Sequence, residues 1–349
     1  MAAPFSVTTE GLSTHADVAP GPWRLTLVTN PDDCNLACPM CECGAARRPG
    51  PPRRMDPALA ARVVREAAAA GLREVIPSTM GEPLLWAGLD ALVDLCAELG
   101  LALNVTTNGT FPGRGAARWA ARLVPVASDV KISWNGATAA TAEALMPGLD
   151  FGAAVEAVRS FVAARDRHAR EGGRRCTVSF QVTAQEGNVA ELPDVVRLAA
   201  ALGVDRVKVN QLQPRLPPLA PLSLRRDVAA LRRWNAAAAA ARAAADEARR
   251  PDGGRVGLEN VAPLAEDPAA PASPGACRFV GREAWVHPDG RFAPCPHPAA
   301  ARGGLGDFGG VADGPLAAVW QGASFRAFVA GWEAHPVCRT CPLRRPGGA

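Results

Sequence analysis

Tyrosine is absent from this 349-residue chain, and aromatic residues of all kinds make up 5% of it. Without a phenol, proton chemistry falls to lysine, carboxylate, cysteine and histidine side chains. No apolar run approaches the roughly 18 residues that a membrane-spanning helix needs, so no membrane partner is expected. The N-terminus lacks the basic, apolar and small-residue pattern of a secretory signal. Its absence argues against a disulfide framework and for a cytoplasmic, reducing location. There, ten cysteines point to metal or redox chemistry. The net charge of +4 is small for this length and forms no basic block, so nucleic acid is not an expected partner. What the chain has is 48% hydrophobic residues, enough for one large domain and a smaller one.

Residues 1–22 read as a polar, Gly/Pro-containing lead-in, and from 23 to 213 strand and helix signals alternate. Strands are expected over 24–29, 74–78, 101–106, 129–134, 177–183 and 206–212. Helices are expected over 56–70, 89–99, 116–123, 151–168 and 192–202, the first with Asp56 as N-cap and Gly71 as its stop. Six β/α repeats imply parallel pairing, right-handed crossovers and a sheet buried on both faces. The expected fold is α/β, an open partial (β/α)6 barrel with ligands at the carboxyl ends of its strands. A proline-rich stretch at 214–223 marks a boundary, and an Ala/Arg-rich helix follows over 224–249. Leu224, Val228, Leu231 and Trp234 are expected on its packed face, and the whole of 214–256 reads as a connecting region. Residues 257–349 are expected to form a smaller α+β unit with four more cysteines.

The first strand leads into Cys34, Cys38 and Cys41, spaced C-x₃-C-x₂-C. Three thiolates on one loop can hold three irons of a cubane 4Fe-4S cluster. The fourth iron then stays open to chelate a small molecule that brings its own amine and carboxylate. Zinc also takes thiolate ligands, but zinc knuckles favour paired C-x₂-C units. The spacing resembles the radical SAM superfamily, with Met40 where that family usually has an aromatic residue. Met80-Gly81-Glu82-Pro83 resembles the family's Gly-Gly-Glu-Pro motif, with Met80 replacing the first glycine. The resemblance implies that this backbone meets the amino group of S-adenosyl-L-methionine (SAM). It also implies ribose contacts from Ser133 and Asn135, and further SAM contacts from Gln181 and Asn188. Thr106-Thr107-Asn108-Gly109 matches a recurring family segment, adding Thr107 to the cofactor candidates, although Asn-Gly is also an ordinary turn. Glu82 as a solvated loop charge is the lesser alternative for that segment. The implied chemistry is reductive cleavage of SAM followed by hydrogen abstraction from a substrate. An external donor such as flavodoxin or ferredoxin would supply the electron.

Further on, Cys277 and Cys295 flank an expected hairpin over 282–294, and Cys338 and Cys341 form a C-x₂-C pair. With Gly290 and Cys295 spaced G-x₄-C, this resembles the SPASM/twitch extension of radical SAM enzymes, in its shorter form because no cysteine follows Cys341. The resemblance implies an auxiliary 4Fe-4S cluster with all four irons ligated, suited to electron transfer. A structural zinc at the same cysteines is the alternative, and His287 or His297 could replace a ligand. Cys96 and Cys176 read as core residues. Cys43, two residues past the triad, is a candidate hydrogen donor.

Only 33 residues precede Cys34, which is short for a leader-peptide-binding domain. The expectation is therefore a sugar, aminocyclitol or nucleoside substrate of antibiotic biosynthesis, oxidised from secondary alcohol to ketone. Lys131, Lys208 and Glu259 are candidate bases for the proton. Epimerisation, decarboxylation, dehydration and modification of a ribosomal peptide are the alternatives. An iron–sulfur carrier without SAM chemistry would not need six β/α units.

Overall fold

The computed structural model describes residues 19–41, 51–77, 80–214, 217–268, 275–301, 303–312, 314–341 and 343–346. Six strands form as the alternation predicts. They are β1 (Arg24–Leu27), β2 (Glu74–Pro77), β3 (Ala102–Thr107), β4 (Ala127–Ser133), β5 (Thr177–Ala184) and β6 (Arg206–Gln211). Each pairs in parallel with the next. The intervening helices are α1 (Pro57–Ala69), α2 (Leu89–Glu98), α3 (Ala116–Leu123), α4 (Ala139–Leu145), α5 (Phe151–Arg170) and α6 (Leu192–Ala201). Short polar residues cap them. Asp56 accepts the Ala58 N–H at 3.0 Å and Asp150 the Ala153 N–H at 2.8 Å, each satisfying a donor that a helix start leaves open. Helix α4 was not expected from the sequence; its start is capped by Thr138.

The sheet does not stop at six strands. β7 (Gly257–Glu259) pairs in parallel with β6, and β9 (Glu283–Val286) pairs in parallel with β1. The segment beyond residue 256 therefore extends the barrel sheet at both edges. β9 falls within the expected hairpin, and what the sequence did not display is its pairing with β1, 259 positions away. β9 turns into the antiparallel β10 (Phe292–Ala293) through the Pro288–Gly290 turn. Gly290 has φ +80°, and a Cβ there would lie 2.8 Å from the Ala312 nitrogen, so this turn needs glycine. A separate pair, β8 (Gly275–Ala276) and β11 (Arg345–Pro346), closes the C-terminal unit.

Alternate residues of each strand face outward into an apolar layer. Leu25, Leu27, Val75, Leu103, Val105, Val130, Ile132, Val178, Phe180, Val207 and Val209 are at most 1% exposed beneath the helices. The Ala/Arg-rich helix is α7 (Val228–Glu247), which packs on α6 through Leu231, Trp234 and a row of alanines. Val228 departs from the expectation. It is the first helical residue and 38% exposed, while Leu224 is buried in the turn before it, outside the helical period.

The C-terminal unit is mounted on β1 and α1. Arg62 of α1 donates to the Val311 and Gly314 carbonyls, and Glu66 accepts the Leu316 N–H at 2.7 Å. Phe292, Phe308, Trp320 and Phe325 pack ring to ring inside it. Among the described residues, no helix is long and apolar enough to cross a membrane.

Candidate active site

β1 delivers the cysteine loop to the carboxyl end of the sheet. Cys34, Cys38 and Cys41 are half-buried thiols, none in a disulfide, on one turn closed by the Cys41 N–H on the Cys38 carbonyl at 3.1 Å. The Cys34 sulfur accepts from the Leu36 N–H at 3.4 Å and the Asn108 amide at 3.6 Å. Burial raises the Cys34 thiol, and these two donors oppose the rise.

The segment after β2 is pressed onto this loop. Gly81 has φ +75°, and a Cβ there would stand 2.1 Å from the Asn30 carbonyl oxygen and 2.7 Å from that of Asp33. Only glycine permits the approach. The Glu82 N–H donates to the Asp33 carbonyl at 2.7 Å, and the Asn30 amide donates to the Glu82 carbonyl at 2.8 Å. Glu82 is not a solvated loop charge, being 1% exposed. Its carboxylate accepts from the Thr107 hydroxyl at 2.8 Å, the Asn108 N–H at 2.7 Å and the Leu84 N–H at 3.2 Å. Burial pushes this carboxyl up to about 7 against those three donors. Glu82 thus ties the ends of β2 and β3 to the cysteine loop, and Thr107 is consumed in the same tie. Met80 is half-buried beside it.

The remaining SAM candidates divide. Ser133 and Gln181 are direct partners across β4 and β5, both half-buried. They follow Lys131 and Ser179 on the inward-facing rows. Asn135 and Asn188 are instead buried and bonded to each other's strand ends. Asn135 accepts the Thr183 N–H at 2.8 Å, while the Asn188 amide donates to the carbonyls of Asn135 and Thr183 at 3.0 and 3.1 Å. They shape the rim.

Below the rim, polar side chains from all eight parallel strands join in one belt. Arg24 bridges Glu74 at 2.5 Å and Glu283 at 2.7 Å, so β9 contributes directly to the lumen. Asn104 links Glu74 at 3.2 Å to the Lys131 ammonium at 2.5 Å. Asp129 accepts from Ser179 at 2.8 Å and from Arg206, and Arg206 and Lys208 reach Glu259 at 3.6 and 3.0 Å. The chain's two lysines are thus both inside the barrel. Burial and the nearby Lys208 charge lower Lys131 to about 8, although Asp129 pulls the other way. Burial would raise Glu259, but Lys208 and Arg206 outweigh it and hold the carboxyl below its ordinary range.

Far from this loop in sequence, Cys277, Cys295, Cys338 and Cys341 line one cavity with Phe279, Leu305, Trp332 and His297. Burial pushes the Cys295 thiol up to about 12 and Cys338 up to about 11. Four thiols around one apolar cavity are a donor set that a cubane cluster can take, one thiol to each iron. Cys96 and Cys176 are buried core thiols, as expected. Cys43 lies outside the described residues.

The pattern of the radical SAM superfamily matches residues 31–166, and that of SPASM, an iron–sulfur cluster-binding domain, matches 277–342. A PqqA peptide cyclase of Methylorubrum populi is 30% identical over 335 residues, covering 94% of this chain and 80% of that protein. The chain belongs to the radical SAM superfamily. A second PqqA peptide cyclase, of Methylobacterium nodulans, is 29% identical and covers 89% of the chain and 76% of its own length. Among solved structures, Streptococcus suis SuiB bound to S-adenosylmethionine aligns with a TM-score of 0.67 at 16% identity, over 93% of this chain and 72% of that one. The anSMEcpe structure with bound AdoMet aligns at 0.61 and 16% identity, over 92% and 85%. At these identities the two structures speak for the radical SAM fold.

As a radical SAM protein with a SPASM domain, the chain binds SAM at a 4Fe-4S cluster and carries an auxiliary cluster. The donor sets fit both groups: three thiols on an open turn beneath the glycine-permitted approach of Gly81, and four around one cavity. The linking role of Asn108 and the lumen positions of Arg24, Glu74, Asp129, Arg206 and Glu283 were not foreseen from the sequence. Their polar identity at alternate strand positions was the available signal.

Proposed function

We propose that this chain modifies a peptide, closing a ring within it by oxidative bond formation. The observation that supports this most is the match to a PqqA peptide cyclase that covers 94% of this chain, barrel and SPASM unit alike. Joining two hydrogen-bearing atoms removes two hydrogens. One leaves as a hydrogen atom; the other leaves as a proton and an electron. When bound, SAM and its cluster supply the hydrogen-atom abstraction.

The chain's own groups are assigned to the rest. Lys131 receives the proton, because its amine is loosened to about 8 and it sits two residues below Ser133 at the rim. Glu259 is the poorer base, since it is held ionised against Lys208, and that pair instead fixes the charge pattern around Lys131. The four-cysteine cavity is the place for an acceptor of the second electron. Ser133 and Gln181 are the side chains assigned to SAM at the rim, with the backbone of Met80, Gly81, Glu82 and Pro83 opposite them. An external donor of the flavodoxin or ferredoxin class supplies the starting electron.

Oxidation of a secondary alcohol in a sugar or aminocyclitol has the same balance of protons and electrons, but the relatives' names give that narrower expectation no support. The test is to incubate the anaerobically reconstituted enzyme with SAM, a reductant and short peptides encoded beside its gene. A peptide product lighter by two hydrogens, formed with 5′-deoxyadenosine, is expected. Turnover with aminocyclitols and none with any peptide would sink the peptide reading.

A further inference from the structure

Asn108 stands one residue beyond β3 and reaches the cysteine loop from the side. Its amide nitrogen donates to the Asn35 Oδ1 at 2.8 Å and to the Cys34 Sγ at 3.6 Å. The orientation of the amide is not arbitrary. The Thr110 N–H can only donate, and it points at the Asn108 Oδ1 from 3.0 Å, which leaves the nitrogen facing the sulfur. The Thr110 hydroxyl meets the same oxygen at 2.7 Å.

The backbone is fixed as firmly. The Asn108 N–H and the Thr107 hydroxyl share the two oxygens of the buried Glu82 carboxylate. Gly109 follows with φ +82°, and a Cβ there would lie 2.8 Å from Ile132 Cγ2, so the turn is pressed onto β4. Glu82, Thr110 and Ile132 together hold one amide hydrogen against one cysteine sulfur.

The geometry points to Asn108 as a residue that sets the reduction potential of the cluster held by Cys34, Cys38 and Cys41. A hydrogen bond to a thiolate draws negative charge from the sulfur. The reduced cluster carries one more negative charge than the oxidised one, so it gains more from that bond and the potential rises. Asn108 acts through the Cys34 sulfur. It is a positioning residue, and its effect falls on the first electron, whatever the substrate.

Four variants test this by anaerobic EPR titration, taking the cluster signal that changes on adding SAM. Asn108→Ala removes the donor. Asn108→Asp keeps the acceptor for Thr110 and sets a carboxylate against the sulfur. Asn35→Ala and Thr110→Ala each cut another hydrogen bond of Asn108 and spare its amide. The midpoint is expected to move to more negative potential in Asn108→Ala and further in Asn108→Asp, with iron content at the native level, and to stay in place in the other two. A native midpoint in both Asn108 variants overturns the assignment. So does an equal shift in Asn35→Ala or Thr110→Ala, which would make loop shape the cause. Should the Asn108 variants hold less iron, the native protein decides. With asparagine carrying ¹⁵N in its side-chain amide, pulsed EPR of the reduced cluster should show a nitrogen coupling that survives in Asn35→Ala, and its absence overturns the proposal.

Discussion

The two cysteine sites of this chain are built in opposite ways. Cys34, Cys38 and Cys41 sit on a half-buried turn at the rim of a polar lumen, with N–H groups of Leu36 and Asn108 on the first sulfur. Cys295 and Cys338 are buried, and they share an apolar cavity with Cys277 and Cys341 in which burial strongly disfavours free thiolates. The first arrangement leaves a face open where a second molecule can bind. The second is closed on itself, so its negative charge is tolerable only when metal balances it. One site is open to a ligand, and the other is the enclosed one proposed above as the electron acceptor.

The largest effect should come from deleting either set. Replacing Cys34, Cys38 or Cys41 by Ala is expected to abolish 5′-deoxyadenosine, whereas Cys295→Ala should leave its formation and remove the oxidised product. Each change should lower iron from about eight to about four per chain. Chromatography of the nucleoside and an iron assay read both, and loss of the nucleoside in Cys295→Ala would erase the contrast. Next is Arg24→Met, which breaks the link between the two regions. Glu74 and Glu283 would then stand buried without their cation, a cost on the order of 3 kcal/mol in urea denaturation.

Lys131→Met probes the lumen between the sites. The amine accepts a proton only when neutral, so native product formation should rise as pH rises through about 8. The variant should be about a hundredfold slower and lack that rise. A native-like profile in the variant would move the base elsewhere. The smallest effect concerns Glu82, which belongs to the first site alone. With its folded pKa near 7 against an ordinary 4.5, the native state binds this proton more tightly than the unfolded one. Stability should fall as pH climbs between those values and level off above them. In Glu82→Gln that slope should flatten, seen as roughly a few degrees in Tm across the range.

Much of this was legible in advance, for physical reasons. The β/α order was plain because outward strand residues such as Val130 and Ile132 alternate with polar ones, and Asp56 announces its helix. The cysteine spacings were equally plain, since loop-borne ligands must be close in sequence. What the chain does not display is which polar residues meet. Arg24 and Glu283 are 259 positions apart and become neighbours only through the register of β1 and β9. Glu82 read as either a SAM contact or a loop charge because its burial depends on Gly81 packing against a distant carbonyl. Asn108 read as part of a family segment or of an ordinary turn, and its aim at a sulfur is fixed by Glu82 and Thr110 together. The preference for a sugar came from the short stretch before Cys34, a weaker guide than the relatives' names.

The pairing of β1 with β9 also orders events in time. The strand that carries the first cysteine loop is made well before its neighbour, which leaves the ribosome only after some 260 further residues. Until then one edge of β1 is bare, and such an edge invites pairing with another chain. Half-made molecules are therefore the vulnerable ones, and crowding of ribosomes on the message should cost soluble yield. Slower initiation, rather than slower elongation, is the remedy this topology calls for when the protein is produced.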